Sequence, residues 1–488
     1  MIDLLIQNGL VLTMDEDNAC DDPGQVAVVG DRIASVGGVE PAVEPCRKII
    51  DASNCVVMPG LVDAHMHECL LRGLCEDLPL MRWLDEVCFP KDRAYAPEHI
   101  RGAAQLNQLE MIRGGITTFI DIFRFPVEAA RIAMRSGLRA IFSPQIIESV
   151  PGAGETIDDS EAFVAEWHGQ ADGRIQAWFG PHAPFTVSGQ GFARIARLAE
   201  RYDVGIHTHL AETASEVEEL RARHGLSPVE YLDRLGVLGP RCLAAHCVWL
   251  DENDIGILED RDVAVAYNPS SNVKLASGVA PIPELLAAGL RVGLGTDSNL
   301  SNNNLDMFEE MRLGATIQKL HRHDASSMPC NLMLHMSTLG GAQALGLDSE
   351  IGSLEAGKKA DIILIDLMAP HLWPIFRGPG TNAVEQLVYS ANAADVRTTI
   401  VDGRVLMELT PEIRHGPVRQ RWVGAEVGFR YAAEQAKESF DWLRMESLLS
   451  PGQTLVLGTV GDGIGMGAQF FGKAGRDPHQ KLLLIRLA

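Results

Sequence analysis

Six side chains able to hold a metal or move a proton follow one another in the chain between residues 65 and 297. His65-x-His67 closes the run MPGLVDAHMH, His209 and Glu212 lie in GIHTHLAET, His246 in CLAAHC, and Asp297 in VGLGTDSN. Each stands at the end of a short apolar run bounded by turn residues, the pattern of a buried strand. His65 and His67 are two positions apart, so on a strand both imidazoles face the same side. Together with His209 and Asp297 on other strand ends they compose a site for one divalent ion, zinc first and iron second. Glu212 and His246 are what such a site needs for proton transfer. His207 shares a face with His209 and is the alternative third ligand. His209 is preferred because it lies nearer the strand's end, with His207 behind it as a supporting donor. No lysine occurs between Lys91 and Lys274, so a carboxylated lysine bridging two ions has no candidate there. The chemistry expected is hydrolysis at a single metal.

Bringing these strand ends to one rim needs a particular architecture. From Met58 onward, apolar strands (GITTFIDI, LRAIFSPQII, GRIQAWFGPH, VGIHTHL, CLAAHCVWL, VAVAYNP, LRVGLGTD) alternate with helix-patterned segments such as PVEAARIAMRSG and QGFARIARLAERYD. That rhythm predicts an α/β fold, a TIM-like (β/α)8 barrel over residues 58–351, whose chemistry sits at the C-terminal ends of its strands. Residues 1–57 read as several short strands separated by glycine and acidic turns, and the same texture returns over residues 352–422. Together they predict a small β-sandwich domain built from both chain ends, with the barrel inserted between them. Residues 423–488 read as a C-terminal helix followed by a glycine-rich tail from Leu449, with eight glycines including GDGIGMG. The tail lacks the strand–helix context and downstream acid of a dinucleotide loop and is left unassigned.

Composition narrows the function classes. The chain of 488 residues carries 65 acids against 42 lysines and arginines, a net charge of −23. Such a surface repels nucleic acid backbones and anionic membranes, so neither is an expected partner. No apolar stretch approaches the roughly 18–20 residues of a membrane helix, and the N-terminus alternates like a strand and does not resemble a signal peptide. A cytoplasmic enzyme acting on a small molecule and water is expected, and a homo-oligomer is compatible with this reading. Nine cysteines form no C-x-x-C pair and read as reduced thiols.

Six stretches in order — LLRGLCEDLPLMRWL, GPHAPF, HTHLAET, AAHCV, NPSSNVKLASGVAP and GLGTDSNLSNNNLDMFEEMR — resemble the amidohydrolase superfamily. Within it the resemblance is to the methylthioadenosine/S-adenosylhomocysteine deaminases and the s-triazine amino- and chlorohydrolases. It implies zinc ligands at His65, His67, His209 and Asp297, catalytic roles for Glu212, His246 and Asp297, and substrate contacts from Trp83, Asp92 and His182. The implied reaction is displacement of an amino group from an aromatic nitrogen heterocycle by metal-activated water. Asp297 takes a proton from the water, Glu212 protonates the ring nitrogen, and His246 steadies the developing charge. Two positions depart from the nucleoside deaminases. Their ribose-holding Glu is Asp92 in Phe89-Pro90-Lys91-Asp92, and an arginine after the third strand is replaced by Pro144. The alternatives are an s-triazine substrate losing amine or chloride, a cyclic amide hydrolase, and a scaffold without activity.

Overall fold

The computed structural model describes residues 1–38, 45–73, 76–378, 380–409, 453–456 and 469–472. It divides into two compact units, residues 1–433 and 434–488. Of the second, Gln453–Val456 and Gln469–Gly472 pair antiparallel. The expected helix over 423–448 and the rest of the glycine-rich tail lie outside the described residues.

The first unit mixes helices and strands. Its N-terminal strands are β1 (Ile2–Leu12), β2 (Cys20–Val29), β3 (Arg32–Gly38), β4 (Cys46–Asp51) and β5 (Cys55–Pro59). They share one mixed eight-stranded sheet with β17 (Ile362–Asp366), β18 (Val396–Val401) and β19 (Arg404–Glu408). Both chain ends therefore build it, joined where β5 pairs antiparallel with β17, Val57 opposite Leu364. Alternation along these strands turns Leu4, Ile6, Val26, Val28, Val57, Ile362, Leu364 and Ile400 into a core of the sheet's own. β5 carries the sheet to Pro59, so Gly60 is the joint at which the chain leaves it.

Between these ends the strands are parallel and, apart from half-buried Gln176, fully buried: β6 (Leu61–His67), β7 (Ile116–Asp121), β8 (Arg139–Phe142), β9 (Gln145–Ile146), β10 (Ile175–Ala177), β11 (Gly180–Pro181), β12 (Ile206–Leu210), β13 (Cys242–His246), β14 (Ala264–Tyr267), β15 (Val292–Leu294) and β16 (Asp297–Ser298). Near-continuous apolar runs are what parallel strands covered on both faces require. Pairing passes from β6 to β7, β8 and β10, with β9 pairing β11. A parallel bridge joins Phe179 to Ile206 of β12, and pairing continues through β13, β14 and β15. β16 pairs with β6 again, Asp297 opposite Met66. That last pairing brings residues 231 positions apart in sequence side by side, at the point where His65, His67 and Asp297 are needed.

The helices between strands follow from local sequence. Gly189–Tyr202 starts where the Ser188 hydroxyl accepts from the Gly191 amide and ends at Asp203 in the left-handed conformation, φ 57°. Its Phe192, Ile195, Leu198 and Ala199 recur at helical spacing and are buried, each large side chain stabilising by roughly 1.5–3 kcal/mol. Ala214–His224 begins at once after Glu212, with the Thr213 hydroxyl accepting from the Glu216 amide at 3.3 Å. Among the described residues no helix is long and apolar enough to cross a membrane.

Candidate metal centre and active site

β6 presents His65 and His67 on one face, their rings edge-on at 5.1 Å. β12 presents His209, stacked on His67 at an interplanar angle of 5° with the two Nε2 atoms 3.2 Å apart. β16 brings in Asp297, whose Oδ1 is 3.6 Å from His65 Nε2 and 3.4 Å from His67 Nε2. β13 ends in His246, with Nε2 3.9 Å from Asp297 Oδ2 and 3.7 Å from Glu212 Oε2. All six residues are buried. The backbone is bent to achieve this. Ala211, His246, Cys247 and Asp297 take φ of 51°, 73°, 49° and 56°, left-handed conformations that cost non-glycine residues of order 1–3 kcal/mol each and cluster at functional sites.

The donor set fits a cation. Donor atoms of His65, His67 and Asp297 lie within 4.8 Å of one another, as do those of His65, His209 and His246. His209 Nδ1 donates to the His182 carbonyl at 2.7 Å, which leaves its Nε2 unprotonated and facing His67. His65 Nδ1 is 2.7 Å from His207 Nε2, and His65 Nε2 is buried without a hydrogen-bond partner. In the tautomer where His65 donates to His207, that Nε2 keeps its lone pair for an ion. Burial lowers the pKa of His65, His67 and His209, keeping them neutral as ligands must be. Burial opposes ionisation of Asp297, yet His65, His246 and His67 outweigh it and hold the carboxylate well below its usual range.

Glu212 and His246 answer a different need. Burial raises the pKa of Glu212, with His246 and Ser277 opposing, so the carboxyl holds a proton more readily than an exposed one. Burial disfavours charge on His246, but Glu212, Asp297 and Asn272 overcome it and raise its pKa. Its Nδ1 meets Asn272 Oδ1 at 2.8 Å, and the Ser277 hydroxyl donates to Glu212 Oε1 at 3.0 Å. Glu216 accepts from the amides of Ala211 at 3.2 Å and Glu212 at 2.8 Å, which fixes the bend that carries Glu212. Asn272, Ser277 and Glu216 were not singled out from the sequence, although the first two lie in the quoted run NPSSNVKLASGVAP.

One cavity joins these groups to the expected substrate contacts. Trp83, Asp92 and His182 line it together with His67, His209, Glu212, His246 and Asp297. The His182 ring stands 4.7 Å from that of His209, and burial lowers its pKa to about 4. Asp92 is not free in the wall: the Lys91 ammonium lies 3.1 Å from its Oδ1, and Gln145 Nε2 donates to Oδ2 at 3.4 Å. Lys91 also lines the cavity, a role the sequence alone did not suggest. Pro144 falls between β8 and β9. Nearby, Arg124 spends its guanidinium on the carbonyls of Asp92 and Gly152.

A nitrogen-rich divalent site with a buried acid and imidazole beside it, at the ends of parallel strands, defines a class of metal-dependent hydrolase. The amidohydrolase family profile matches residues 56–406. Over 413 residues the chain is 46% identical to the 5-methylthioadenosine/S-adenosylhomocysteine deaminase of Pelotomaculum thermopropionicum, covering 84% of this chain and 94% of that one. It is 42% identical over 412 residues to the 5'-deoxyadenosine deaminase of Methanosarcina mazei, covering 84% and 93%. The crystal structure of an adenosine deaminase from Xanthomonas campestris with bound zinc superposes with a TM-score of 0.83 at 32% identity, covering 91% of this chain and 99% of that one. The chain belongs to the amidohydrolase family and is a hydrolase of C–N bonds other than peptide bonds.

Proposed function

We propose that this enzyme deaminates an adenosine-type nucleoside or related aminated base at one zinc ion. The reading rests above all on one observation: His65, His67, His209 and Asp297 converge within one buried cluster that shares its cavity with Glu212 and His246. The relatives' names supply the substrate class. The parallel pairing from β6 round to β16 and back supports a closed (β/α)8 barrel, and the sheet built from both chain ends supports a β-sandwich beside it. The boundaries proposed are 1–57 and 352–422 for the β-domain and 58–351 for the barrel. The acidic balance supports a cytoplasmic location.

His65, His67, His209 and Asp297 would hold the zinc, and a zinc ion supplies Lewis acidity that makes water nucleophilic near neutral pH. Asp297 takes a proton from the attacking water through the oxygen turned towards His246. Glu212 delivers a proton to the ring nitrogen beside the carbon under attack, and the Ser277 hydroxyl holds its other oxygen. His246, oriented by Asn272, stands against the oxygen that adds. Asp297 passes the proton it took to the amino group, which leaves as ammonia, while the added hydroxyl gives its proton to Glu212 and the ring keeps the oxygen as a carbonyl. His182 orients the ring from the loop after β11.

Ammonia release from S-adenosylhomocysteine, methylthioadenosine, adenosine, free aminated bases and s-triazines, together with metal analysis, tests this reading. One zinc per chain and kcat/KM highest for the small adenosine compounds are expected. S-adenosylhomocysteine should be weaker, because Pro144 offers no donor and Arg124 is engaged elsewhere. Two ions per chain, or preference for a triazine or cyclic amide, would overturn it.

A further inference from the structure

The Ser277 hydroxyl donates to Glu212 Oε1 at 3.0 Å, yet nothing regular in its own stretch of chain sets its direction. Ser277 lies outside helix and strand, between two residues of positive φ, Ala276 at 53° and Gly278 at 134°. Backbone of this kind persists where surrounding groups hold it. The Ser277 amide donates to the Asn272 carbonyl at 2.9 Å, and its carbonyl accepts from the Trp249 indole N–H at 2.7 Å. Ser277 is buried, whereas Trp249 is 47% exposed. An indole so placed could give its N–H to water, but here it clamps a residue that touches the proton carrier. Gly278 makes room for the clamp: a Cβ there would come within 2.8 Å of Val248 Cγ1 and 3.4 Å of the indole nitrogen.

The same turn grips the main chain before Glu212. The amides of Val248 and Trp249 both donate to the Ala211 carbonyl, at 3.0 and 2.9 Å. The loop after β13 therefore holds Glu212 twice, through its backbone and, by way of Ser277, through its carboxyl. A protonated carboxyl has one O–H donor and one oxygen that only accepts. Because Oε1 accepts from Ser277, the proton rides on Oε2, the oxygen 3.7 Å from His246 Nε2. Without the indole bond Ser277 is free to turn, and either oxygen can carry the proton. We infer that Trp249 is a positioning residue which, through Ser277, fixes the Glu212 carboxyl with its transferable proton on Oε2.

The role rests on the deaminase reading above and names what aims its proton carrier. Ammonia release from adenosine and methylthioadenosine is followed in the zinc-loaded enzyme and in its Trp249→Phe, Ser277→Ala and doubly substituted variants. Zinc content and melting temperature are measured on each. Trp249→Phe keeps an aromatic ring and removes the N–H donor. It should lower kcat by about three- to ten-fold on both substrates, the scale of one hydrogen bond, with KM and zinc content nearly unchanged. Ser277→Ala should lose at least as much. The double variant should lose no more than Ser277→Ala, since a residue acting through that hydroxyl then has nothing left to act on. Losses that multiply in the double variant would overturn the inference, as would a raised KM with kcat intact, which would make Trp249 a substrate contact. So would an unchanged kcat in Trp249→Phe, whatever its melting temperature, or in Ser277→Ala, an arm that leaves Trp249 in place. Each of these results leaves the deaminase reading standing. No ammonia from either compound in the unmutated enzyme would overturn that reading, and this inference with it.

Discussion

Glu212 and Asp297 are both buried acids beside the same imidazoles, yet their surroundings push them in opposite directions. Asp297 lies against His65 and His67 and is held ionised, as a ligand should be. Glu212 touches a hydroxyl and a single imidazole and is left with a raised pKa. That divergence is what the proposed division into ligand and proton carrier needs, since catalytic pairs are set apart by environment. Glu212→Gln keeps shape and the Ser277 contact but removes the exchangeable proton. Zinc content should stay at the unmutated level while turnover falls by roughly 10²-fold or more. Metal analysis and steady-state ammonia release check both halves. Loss of zinc would mean that Glu212 is a ligand, and retained turnover that another acid protonates the ring.

At the scale of elements, β6 matters most because it carries two of the proposed ligands and is pinned at both ends. Asp63 accepts from the Thr296 amide at 3.0 Å, the Thr296 hydroxyl at 2.6 Å and the His65 amide at 3.3 Å, which ties β6 to the turn before Asp297. At the strand's entry, Gly60 lies against Thr117 of β7. A Cβ at Gly60 would come within 2.1 Å of Thr117 Oγ1 and 2.6 Å of its Cβ. Gly60→Ala should therefore destabilise by about 1–3 kcal/mol, the usual cost of forcing an atom into a packed interior. Because β6 would shift, zinc affinity should fall as well. Chemical denaturation and metal titration read the two effects, and an unchanged denaturation midpoint would refute the argument.

For the whole first unit, one buried cation joins the sheet of both chain ends to the parallel strands. Arg139, on β8, donates from Nε to Asp361 at 2.9 Å and from Nη2 to Asp361 at 3.2 Å and Asp402 at 2.5 Å. Asp361 precedes β17 and Asp402 lies in the turn between β18 and β19. Burial works against charge on Arg139, but the two carboxylates outweigh it and raise its pKa. Arg139→Ala would strand Asp361, while Asp402 would keep Arg174 at 3.7 Å, and breaking a buried pair from one side costs about 3–5 kcal/mol. Denaturant unfolding should show that loss, while kcat in the folded fraction stays within a few-fold because the metal ligands are untouched. A change below about 1 kcal/mol would show the pair to be dispensable.

Much of this was legible in the chain because strand periodicity and residue chemistry are local. His65 and His67 on one face, the strand–helix rhythm and the return of sheet texture after residue 352 need only spacing and side-chain type. The candidate metal cluster was readable because few other arrangements place three imidazoles and a carboxylate at the ends of buried strands. Tertiary structure alone decided what depends on partners distant in sequence. The pairing of β16 with β6 sets Asp297 beside His67, Asn272 and Ser277 reach His246 and Glu212, and His207 falls behind His65. Lys91 is the clearest case. Its sequence neighbours give no sign of burial, and only the packing of Phe123, Tyr95 and Asp92 around it holds a charged ammonium in the wall of the cavity.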